Sequence, residues 1–383
     1  MPLGWPCLLL LLMTSVRVYA EEPDVRVAIL QEVPSARITV LAPCRLTDLD
    51  TGALVAQWPN LKWQLVEASH LGLKIGETLT EAKALVLEPP EDAILRVDAK
   101  PYRGSLIFYR TSKGKLTVVN RLGLEEYLVG ALASEVNSDW PMEALKAHAV
   151  VSRTMAAHRI WIQHGHASFD MTADTTTHLY HGVASERERA RMAVQETRGQ
   201  VLAYGGELLS ATFHANCGGH TEDASELWEV RGDPTPLKGR PDPFCRNLKH
   251  FRWQTNLPLS HFMNALGPVA KEIGSVTSCV ILERNASNRV RTVRLIGTQG
   301  STTLSGRRFR ELVGANQLRS LNFTVKVSTR GVFFDGFGWG HGVGLCQWGA
   351  YGMARQGHTM DEILSFYFPG AQRRNLKGLP GYS

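Results

Sequence analysis

The apolar and polar positions of the first hundred residues follow the pattern of short strands. Runs such as VRVAIL, RITVLA, LVAQWP and ALVLEP are separated by polar or Pro/Gly turns, and hardly any stretch repeats apolar residues at helical spacing. We therefore expect residues 21–100 to form a small β-rich N-terminal domain.

The pattern changes after a hairpin formed by YRGSLIFYR and KLTVVN. The segment EEYLVGALASEV has apolar residues at helical spacing from Tyr127 to Leu132, which predicts a short helix with Glu135 near its end. NSDWP then interrupts the pattern. A second helix is expected to begin near Asp139 as the N-cap, with Pro141 in its first turn.

Helical and strand patterns alternate irregularly through the rest of the chain. They predict a charged helix over about 185–197 and a mixture of helices and strands over 250–327. A Pro/Gly-rich loop is expected at 229–248, and its composition is more typical of a functional loop or an insertion than of a core. The predicted fold class is α+β, with a helical face and mixed sheets over residues 101–375.

Composition places this chain among exported globular proteins. It has 383 residues, of which 44% are hydrophobic and 20% charged. Residues 1–20 contain the apolar run CLLLLLM and a small-residue cleavage site, which predicts a secretory signal peptide; an uncleaved anchor is the alternative. No other segment is predicted to span a membrane.

The charge balance is mildly basic. Removing residues 1–20, which contain one Arg and no acid, changes the formal charge from +6 to +5. This excess favours an anionic surface such as a cell wall, but no Lys/Arg run is dense enough to predict nucleic-acid binding.

The segment HANCGGHTED suggests either a metal site or a disulfide. His214, Cys217 and His220 are spaced three residues apart, and Cys245 follows beyond the Pro-rich loop. These four side chains could bind Zn²⁺ as a closed structural site. An exported protein also permits a Cys217–Cys245 disulfide, and the sequence leaves both alternatives open.

Glu135 has two interpretations. A Glu at the end of a short helix is usually a solvated charge. Its position beside Trp140, at the break between two apolar helices, equally allows a partly buried carboxyl whose pKa is raised so that it donates a proton near neutral pH.

The glycines of GFGWGHGVGLCQWGA alternate along the chain and match neither GxGxxG nor a P-loop. This pattern predicts a tight backbone path that exposes Trp339, His341, Gln347 and Trp348 for stacking and hydrogen bonding to sugar rings. The alternative is that these rings belong to the core.

Several separated motifs together resemble the stage II sporulation protein D (SpoIID/LytB domain) family. In chain order they are YRGSL, VNRLGLEEYLVGALASE, WPMEALKAHAVVSRT, TTTHLYHG, FHANCGGHTED and GHGVGLCQWGAYGMA. The resemblance covers roughly Pro101 to Ala371. It implies a SpoIID-like catalytic region after the β-rich domain.

The resemblance implies a peptidoglycan lytic transglycosylase with Glu135 as the catalytic residue. Glu135 would protonate the oxygen between N-acetylmuramic acid and N-acetylglucosamine, then accept the proton of the muramoyl C6 hydroxyl, giving a 1,6-anhydro product. Ordinary glycosidases need two carboxyls, and this reaction needs one. The motifs also imply substrate-binding residues, which are Trp140, Lys146, Arg153, Tyr180, His341, Gln347 and Trp348.

The family implies further properties. Some members bind zinc through Cys and His near the CGG motif, which favours a structural zinc here. Other members are described as amidase enhancers, and a non-catalytic wall-binding activator of an amidase is the main alternative function. The implied partners are peptidoglycan strands and a wall amidase, in the periplasm, the cell wall or the outer face of the membrane.

The chain departs from the family pattern at several positions. Val136 and Asn137 stand where many relatives have Met-Pro, while His148, Met155 and Cys346 replace the usual Gln, Tyr and Ser. These departures leave Glu135 in place, but they bear on which glycan the groove accepts.

Overall fold

The computed structural model describes residues 22–163, 167–174, 177–230 and 232–382. The predicted signal peptide at 1–20 lies outside the described residues. The first strands are β1 (Asp24–Val33), β2 (Ser35–Val40), β3 (Cys44–Asp48), β4 (Leu54–Trp58), β5 (Leu61–Ala68), β6 (Leu73–Ile75), β7 (Thr78–Thr80), β8 (Ala84–Glu88), β9 (Leu95–Val97), β10 (Lys100–Tyr102), β11 (Ser105–Arg110) and β12 (Leu116–Gly123).

Helices and short strands follow. The helices are α1 (Leu124–Glu135), α2 (Met142–Gln163), α3 (Glu188–Glu196), α4 (Leu259–Leu266), α5 (Pro268–Ile273), α6 (Gly306–Val313), α7 (Gln347–Arg355) and α8 (Met360–Tyr367). The later strands are β13 (Met171–Thr172), β14 (Gln200–Tyr204), β15 (Glu207–Leu208), β16 (Phe213–His214), β17 (Arg252–Pro258), β18 (Val276–Arg284), β19 (Val290–Gly297), β20 (Ser301–Ser305), β21 (Phe323–Val327), β22 (Gly331–Phe337), β23 (Leu345–Cys346) and β24 (Gln372–Asn375). The fold is α+β, as the sequence predicts.

Two large sheets organise the N-terminal part. One has the strand order β13-β1-β12-β11-β8-β3-β4, and the other has the order β10-β9-β2-β5-β6-β7. The first sheet joins strands from both sides of residue 100, so the predicted domain boundary there does not coincide with a break between sheets. One continuous apolar core contains side chains of both sheets together with those of α1 and α2.

The helices α1 and α2 lie against this core. The helix α1 begins directly after β12, so the sheet fixes its start. Its Gly130 allows a close approach, because a Cβ there would lie 3.2 Å from both the Gly182 carbonyl oxygen and the Tyr180 ring. The helix α2 begins at Met142, three residues after the predicted cap at Asp139, and Pro141 supplies the first carbonyl acceptors for Ala144 and Leu145.

Residues 252–337 have a core of their own. The strands β17, β22 and β21 form one antiparallel sheet, and β18, β19 and β20 form another. Their inner faces pack with α4, α5 and α6 around Phe262, Phe309, Phe323 and Phe334. We call residues 242–344 the inserted region, because they contain this separate core, while Cys245 and Val343 near their two ends belong to another core. The predicted span 101–375 thus contains more than one core.

Among the described residues, no helix combines the length and the apolar character needed to cross a membrane.

Candidate functional site

Glu135 is the last residue of α1, at the point where the backbone leaves the helix. The next residue, Val136, is extended, with φ −133° and ψ 156°. This geometry ends the helix at Glu135, three residues after Leu132, the last buried residue of α1. The C-terminal end of a helix carries partial negative charge, which disfavours an ionised carboxyl there.

The surroundings of Glu135 raise its pKa. Burial is the largest cause, and it raises the pKa to about 7, against the hydrogen bonds from Leu179 and Gln347 that lower it. The Leu179 backbone N–H donates to Glu135 Oε1 at 2.7 Å. Glu135 is therefore a carboxyl with a fixed orientation that exchanges its proton near neutral pH, the second of the two interpretations that the sequence leaves open.

Gln347 lies close to Glu135 because the segment that contains β23 pairs with the distant strand β16. The strands β16 and β23 are parallel, with Phe213 opposite Leu345 and His214 opposite Cys346. Cys346 then caps α7, since its Sγ accepts a hydrogen bond from the Gly349 N–H at 3.3 Å. Gln347 is the first residue of this helix, and its side chain is buried.

His148 holds the other side of Gln347. Its Nε2 lies 3.0 Å from Gln347 Nε2, and its Nδ1 lies 3.0 Å from Ser152 Oγ. Burial lowers the pKa of His148 to about 4, so the ring is neutral at physiological pH. A neutral Nε2 with an amide NH₂ group in front of it accepts a hydrogen bond.

The floor below this network is aromatic and uncharged. Phe213 packs against His148, with ring centroids 4.5 Å apart, and stacks on His178, with ring centroids 5.5 Å apart. His178 Nδ1 also lies 2.9 Å from the Tyr127 hydroxyl. Burial lowers the pKa of His178 to about 3. With both imidazoles neutral, no cation in this floor stabilises an ionised Glu135.

The alternating glycines let the loop after β22 run close to β16. Gly340 and Gly342 have φ values of 111° and 94°, and a Cβ at Gly340 would lie 2.8 Å from the His214 Cβ. A Cβ at Gly342 would lie 2.3 Å from a guanidinium nitrogen of Arg289. Both positions therefore require glycine, and the tight backbone path predicted from the sequence is present.

A cleft of about 1150 Å³ contains Glu135 in its wall. Aromatic side chains form much of the remaining wall, and they are Trp161, Tyr204, Trp228, Trp339 and Tyr382. Trp161 and Trp228 are 56% and 40% exposed, so their rings are open to a ligand. Exposed rings around a polar group are typical of sugar-binding sites, where apolar ring faces stack on aromatic side chains.

The other carboxyls that line the cleft differ from Glu135. Glu207, Glu229 and Asp233 are all exposed. Hydrogen bonds from Thr235 and Tyr204 lower the pKa of Asp233 to about 2, so this carboxyl is ionised at neutral pH. Among the described residues of the cleft, Glu135 is the partly buried carboxyl with a raised pKa.

Of the residues predicted to bind substrate, His341 and Gln347 line the cleft. Trp348 lies outside the cleft lining, with its ring centroid 4.9 Å from that of Trp140. Tyr351 packs against both indoles, at 5.1 Å from Trp140 and 5.2 Å from Trp348. Trp140 is buried and belongs to this aromatic cluster.

Arg153, Tyr180 and Lys146, also predicted to contact substrate, are placed elsewhere. Arg153 is fully buried and donates to the Glu125 carboxylate at 2.7 and 2.6 Å. Tyr180 is buried and donates from its hydroxyl to Asn120 Oδ1 at 3.0 Å. Lys146 pairs on the outer face of α2 with Glu143 and, at 3.6 Å, with Glu196. With these partners, the three side chains lie outside the lining of the cleft.

A buried cluster of cysteines lies behind the cleft. Cys217 Sγ is 3.3 Å from Cys245 Sγ and 3.1 Å from Asp242 Oδ2. Cys346 completes the group, and the four ligand atoms all lie within 4.8 Å of one another. These four residues could hold a metal ion.

This cluster contains two of the four residues that the sequence suggests as metal ligands. Cys217 and Cys245 are in the cluster, but the positions expected for His214 and His220 are taken by Asp242 and Cys346. The pairing of β16 with β23 is the reason, since it brings Cys346 next to Cys217. His214 Nδ1 instead lies 3.1 Å from the Val343 carbonyl oxygen, and His220 Nδ1 lies 2.6 Å from that of Thr221. The alternative disulfide is absent, because Cys217 and Cys245 are free thiols.

The chemistry of the cluster suits a thiophilic divalent cation. Tetrahedral zinc with bonds of about 2.3 Å to sulfur separates its ligand atoms by about 3.8 Å. The four ligand atoms here lie within 4.8 Å of one another, and two of the contacts, at 3.3 and 3.1 Å, would have to lengthen around the ion. Burial raises the pKa of Cys217 and of Cys346, because a thiolate loses its hydration there, and a bound cation would offset that loss. The buried Arg289 supplies part of this balance, donating to the Cys217 carbonyl at 2.9 Å.

Several site residues escape sequence reasoning. Leu179 contributes only its backbone N–H, which no side-chain pattern reveals. Asp242 lies in the Pro/Gly-rich loop, and its spacing from Cys245 is the one signal that could have found it. Trp161 lies near the end of a helix and Trp228 in a loop, and no motif in the sequence marks either residue as part of a binding site. Met155, noted as a departure from the family pattern, does line the cleft.

Comparison with known protein families gives two matches along this chain. Residues 112–204 match the model of the stage II sporulation protein, SpoIID. Residues 242–344, the inserted region, match a domain of unknown function, DUF8618. The first match includes Glu135 and His148, and the second includes Asp242 and Cys245.

Several curated proteins are similar to this chain. An uncharacterized protein of Brachyspira hyodysenteriae is 31% identical over 94% of this chain and 95% of its own length. Stage II sporulation protein D of Bacillus subtilis is 28% identical over 76% of this chain and 85% of its own length. The amidase enhancer of Bacillus subtilis is 26% identical over 63% of this chain but only 39% of its own length.

Proposed function

Because this chain belongs to the stage II sporulation protein D family, we propose that it acts on the bacterial cell wall as a peptidoglycan lytic transglycosylase. The observation that supports this proposal is the state of Glu135, a carboxyl with a pKa of about 7 in the wall of an aromatic cleft. A pKa near the working pH lets one group give and take a proton in turn.

In the first step, protonated Glu135 donates to the oxygen between N-acetylmuramic acid and N-acetylglucosamine. The bond from that oxygen to the muramoyl C1 breaks, and positive charge develops on C1 and the ring oxygen. The Glu135 carboxylate formed in this way accepts hydrogen bonds from the Leu179 N–H and the Gln347 amide. These donors stabilise the new negative charge where it appears.

In the second step, the muramoyl C6 hydroxyl attacks C1 and transfers its proton to Glu135. The product is a 1,6-anhydro ring, Glu135 is protonated again, and no water is consumed. The neutral floor formed by His148, His178 and Phe213 keeps the site free of a competing base with a pKa near 7.

We further propose that zinc occupies the cluster of Cys217, Asp242, Cys245 and Cys346 as a structural ion. When bound, it would balance the charge of the thiolates and join the loop around Asp242 to the start of α7. The ion would also fix the position of Gln347, because this residue directly follows the ligand Cys346. The expected location of the mature protein is outside the inner membrane, where peptidoglycan is found.

The test of the proposed reaction is digestion of purified sacculi, with and without stem peptides, followed by mass spectrometry. We expect anhydro ends from the parent chain and no cleavage by Glu135→Gln, while Glu207→Gln, a change of an exposed cleft carboxyl, should cleave like the parent. New reducing ends would show a hydrolase, and cleavage by Glu135→Gln at the parent rate would overturn the role of this residue.

The alternative is a wall-binding activator of an amidase, which the similarity to the amidase enhancer supports. In that case the protein binds glycan without turnover and stimulates an amidase. Equal stimulation by the parent and by Glu135→Gln, with no anhydro product from either chain, would favour this alternative.

A further inference from the structure

An arginine of the inserted region has its charge unpaired beside the cleft. Arg319 lies between α6 and β21 with its guanidinium carbon 4.4 Å from the centroid of the Trp339 ring. Its Nε is buried and has no hydrogen-bond partner, and no carboxylate pairs with this guanidinium in the part of the chain that the structure describes. A half-buried guanidinium without a hydrogen-bond partner or a counter-charge costs folding free energy, and a bound ligand with an acceptor group would offset that cost.

The backbone holds Arg319 firmly in this position. Its carbonyl oxygen accepts a hydrogen bond from the Gly340 N–H at 3.0 Å and another from the Arg310 side chain at 3.1 Å. Gly340 directly follows Trp339, so the same contact fixes the ring and the guanidinium relative to each other. The arrangement is preorganised rather than dependent on a flexible surface arginine.

A third side chain completes the surface. The His250 ring stands edge-on to the Trp339 ring, with centroids 4.5 Å apart, and lies 6.5 Å from Trp348. Its backbone has φ of 66°, a conformation that a residue other than glycine rarely adopts. Such strain persists where the surroundings enforce it, and it often marks a binding site. The charges that act on His250 are those of Lys249 and Arg319, and both are positive.

We call Trp339, Arg319 and His250 the Trp339 platform. Trp339 lines the same cleft as Glu135, so the platform adjoins the proposed reaction site. All three residues belong to the region that matches a domain of unknown function. The platform therefore suggests what this region contributes to the protein.

We propose that the Trp339 platform binds a carboxylate carried by a glycan strand. The Trp339 ring would stack on the apolar face of a sugar, while Arg319 pairs with the carboxylate and His250 meets a hydroxyl. A planar guanidinium with free N–H groups suits a carboxylate better than a neutral group does. This proposal rests on the proposed function, since it assigns a subsite for the same substrate class.

Two carboxylates of peptidoglycan have the required chemistry. One is the lactyl group of a muramic acid residue without a stem peptide, and the other is a carboxylate of the stem peptide itself. The platform fits both carboxylates, and binding measurements with three ligands distinguish between them. These are a peptide-free tetrasaccharide of alternating N-acetylglucosamine and N-acetylmuramic acid, the same tetrasaccharide with its peptides, and chitotetraose, which has no carboxylate.

The experiment measures the affinity of the full-length Glu135→Gln chain for these ligands by calorimetry. We expect at least one carboxylated ligand to bind about tenfold more tightly than chitotetraose. Adding Arg319→Gln should remove this difference, because it should lower the affinity for the carboxylated ligands much more than the affinity for chitotetraose. Arg319→Lys should keep part of the difference, and Arg330→Gln, a change of an exposed arginine in the same region, should keep all of it.

The possible results distinguish between the two carboxylates and between failure of the platform and failure of the proposed reaction. Preference for the peptide-free ligand assigns the lactyl group, and preference for the peptide-bearing ligand assigns the stem. Equal affinity for all three ligands, or a preference that survives Arg319→Gln in a folded chain, overturns the platform. A parent chain that leaves sacculi uncut but keeps the Arg319-dependent preference overturns the proposed reaction alone.

Discussion

Gln347 Nε2 lies 3.0 Å from His148 Nε2, and this contact sets the direction in which the Gln347 amide faces Glu135. With His148 neutral, its Nε2 accepts one amide hydrogen of Gln347. The other hydrogen is then directed to Glu135, where it lowers the pKa of the carboxyl. The residue that replaces the usual Gln of the family thus acts on Glu135 through a second side chain.

We predict that His148→Leu weakens the orientation of the Gln347 amide towards Glu135. The amide of Gln347 loses its acceptor, so its hydrogen bond to Glu135 weakens and the pKa of Glu135 rises further. Cleavage should fall about tenfold, and the pH at which kcat/KM is half-maximal should move upward. His148→Gln retains an acceptor and should keep most of the activity. An unchanged midpoint in folded His148→Leu would contradict the relay.

The rate of cleavage should depend on the protonated form of Glu135. Since the pKa of the carboxyl is about 7, kcat/KM should be roughly constant just below that pH and fall about tenfold per unit above it. The measurement is a pH series with the parent and with Glu207→Gln, which should share one profile. A midpoint near 4.5, the usual value for Glu, would show that the pKa of Glu135 is not raised.

Glu135→Gln should also change the free energy of unfolding, by an amount that depends on pH. The carboxyl is protonated in both states well below pH 4.5, whereas above pH 7 the folded chain must hold a buried charge that the unfolded chain exposes to water. The stability associated with the raised pKa is therefore present at low pH and lost as pH rises through about 7. Chemical denaturation at pH 8 should show Glu135→Gln more stable than the parent, by an amount on the order of 3 kcal/mol.

The matching control for that measurement is pH 4, where parent and Glu135→Gln should unfold at nearly the same denaturant concentration. Equal stability at pH 8 would mean that the carboxyl is solvated and that its pKa is ordinary.

Metal removal should unfold part of the protein. We expect about one zinc per chain by elemental analysis, from the single four-ligand site, and a lower melting temperature after treatment with a strong chelator. Cys346→Ser should bind less metal, while Cys279→Ser, a change of a cysteine outside the cluster, should match the parent. A metal-free chain with an unchanged melting temperature would contradict a structural ion.

Arg153→Met should destabilise the chain rather than weaken substrate binding. Removing the guanidinium leaves the Glu125 carboxylate buried without its cation, and such losses cost about 3 kcal/mol or more. The double change with Glu125→Gln should recover part of the loss, because it removes the unpaired charge. Raised KM with unaltered stability would restore the substrate contact that the sequence predicts for Arg153.

The sequence predicts best what is local. The helix of Leu124–Glu135 follows from its own apolar spacing, and the motifs identify Glu135 and the two cysteines Cys217 and Cys245. It predicts poorly what depends on contacts between distant residues. Cys346 is 129 residues from Cys217, and only the pairing of β16 with β23 brings them together.

The same limit explains Arg153. A charged residue in a motif beside a proposed catalytic helix is naturally read as a ligand contact, because its partner is not visible in the pattern. Glu125 lies one helix away, and burial of both side chains turns a candidate for recognition into an internal ion pair. Burial is a property of the packed molecule, and residue type alone does not determine it.

The parallel pairing of β16 with β23 also has a consequence for biosynthesis. Glu135 is translated long before Gln347, and the inserted region is translated between them. A truncated chain that ends before β23 therefore has the acidic residue but lacks the amide that orients it. The cleft is completed only by the last part of the chain, so under the proposed function such a truncated molecule should not cleave glycan.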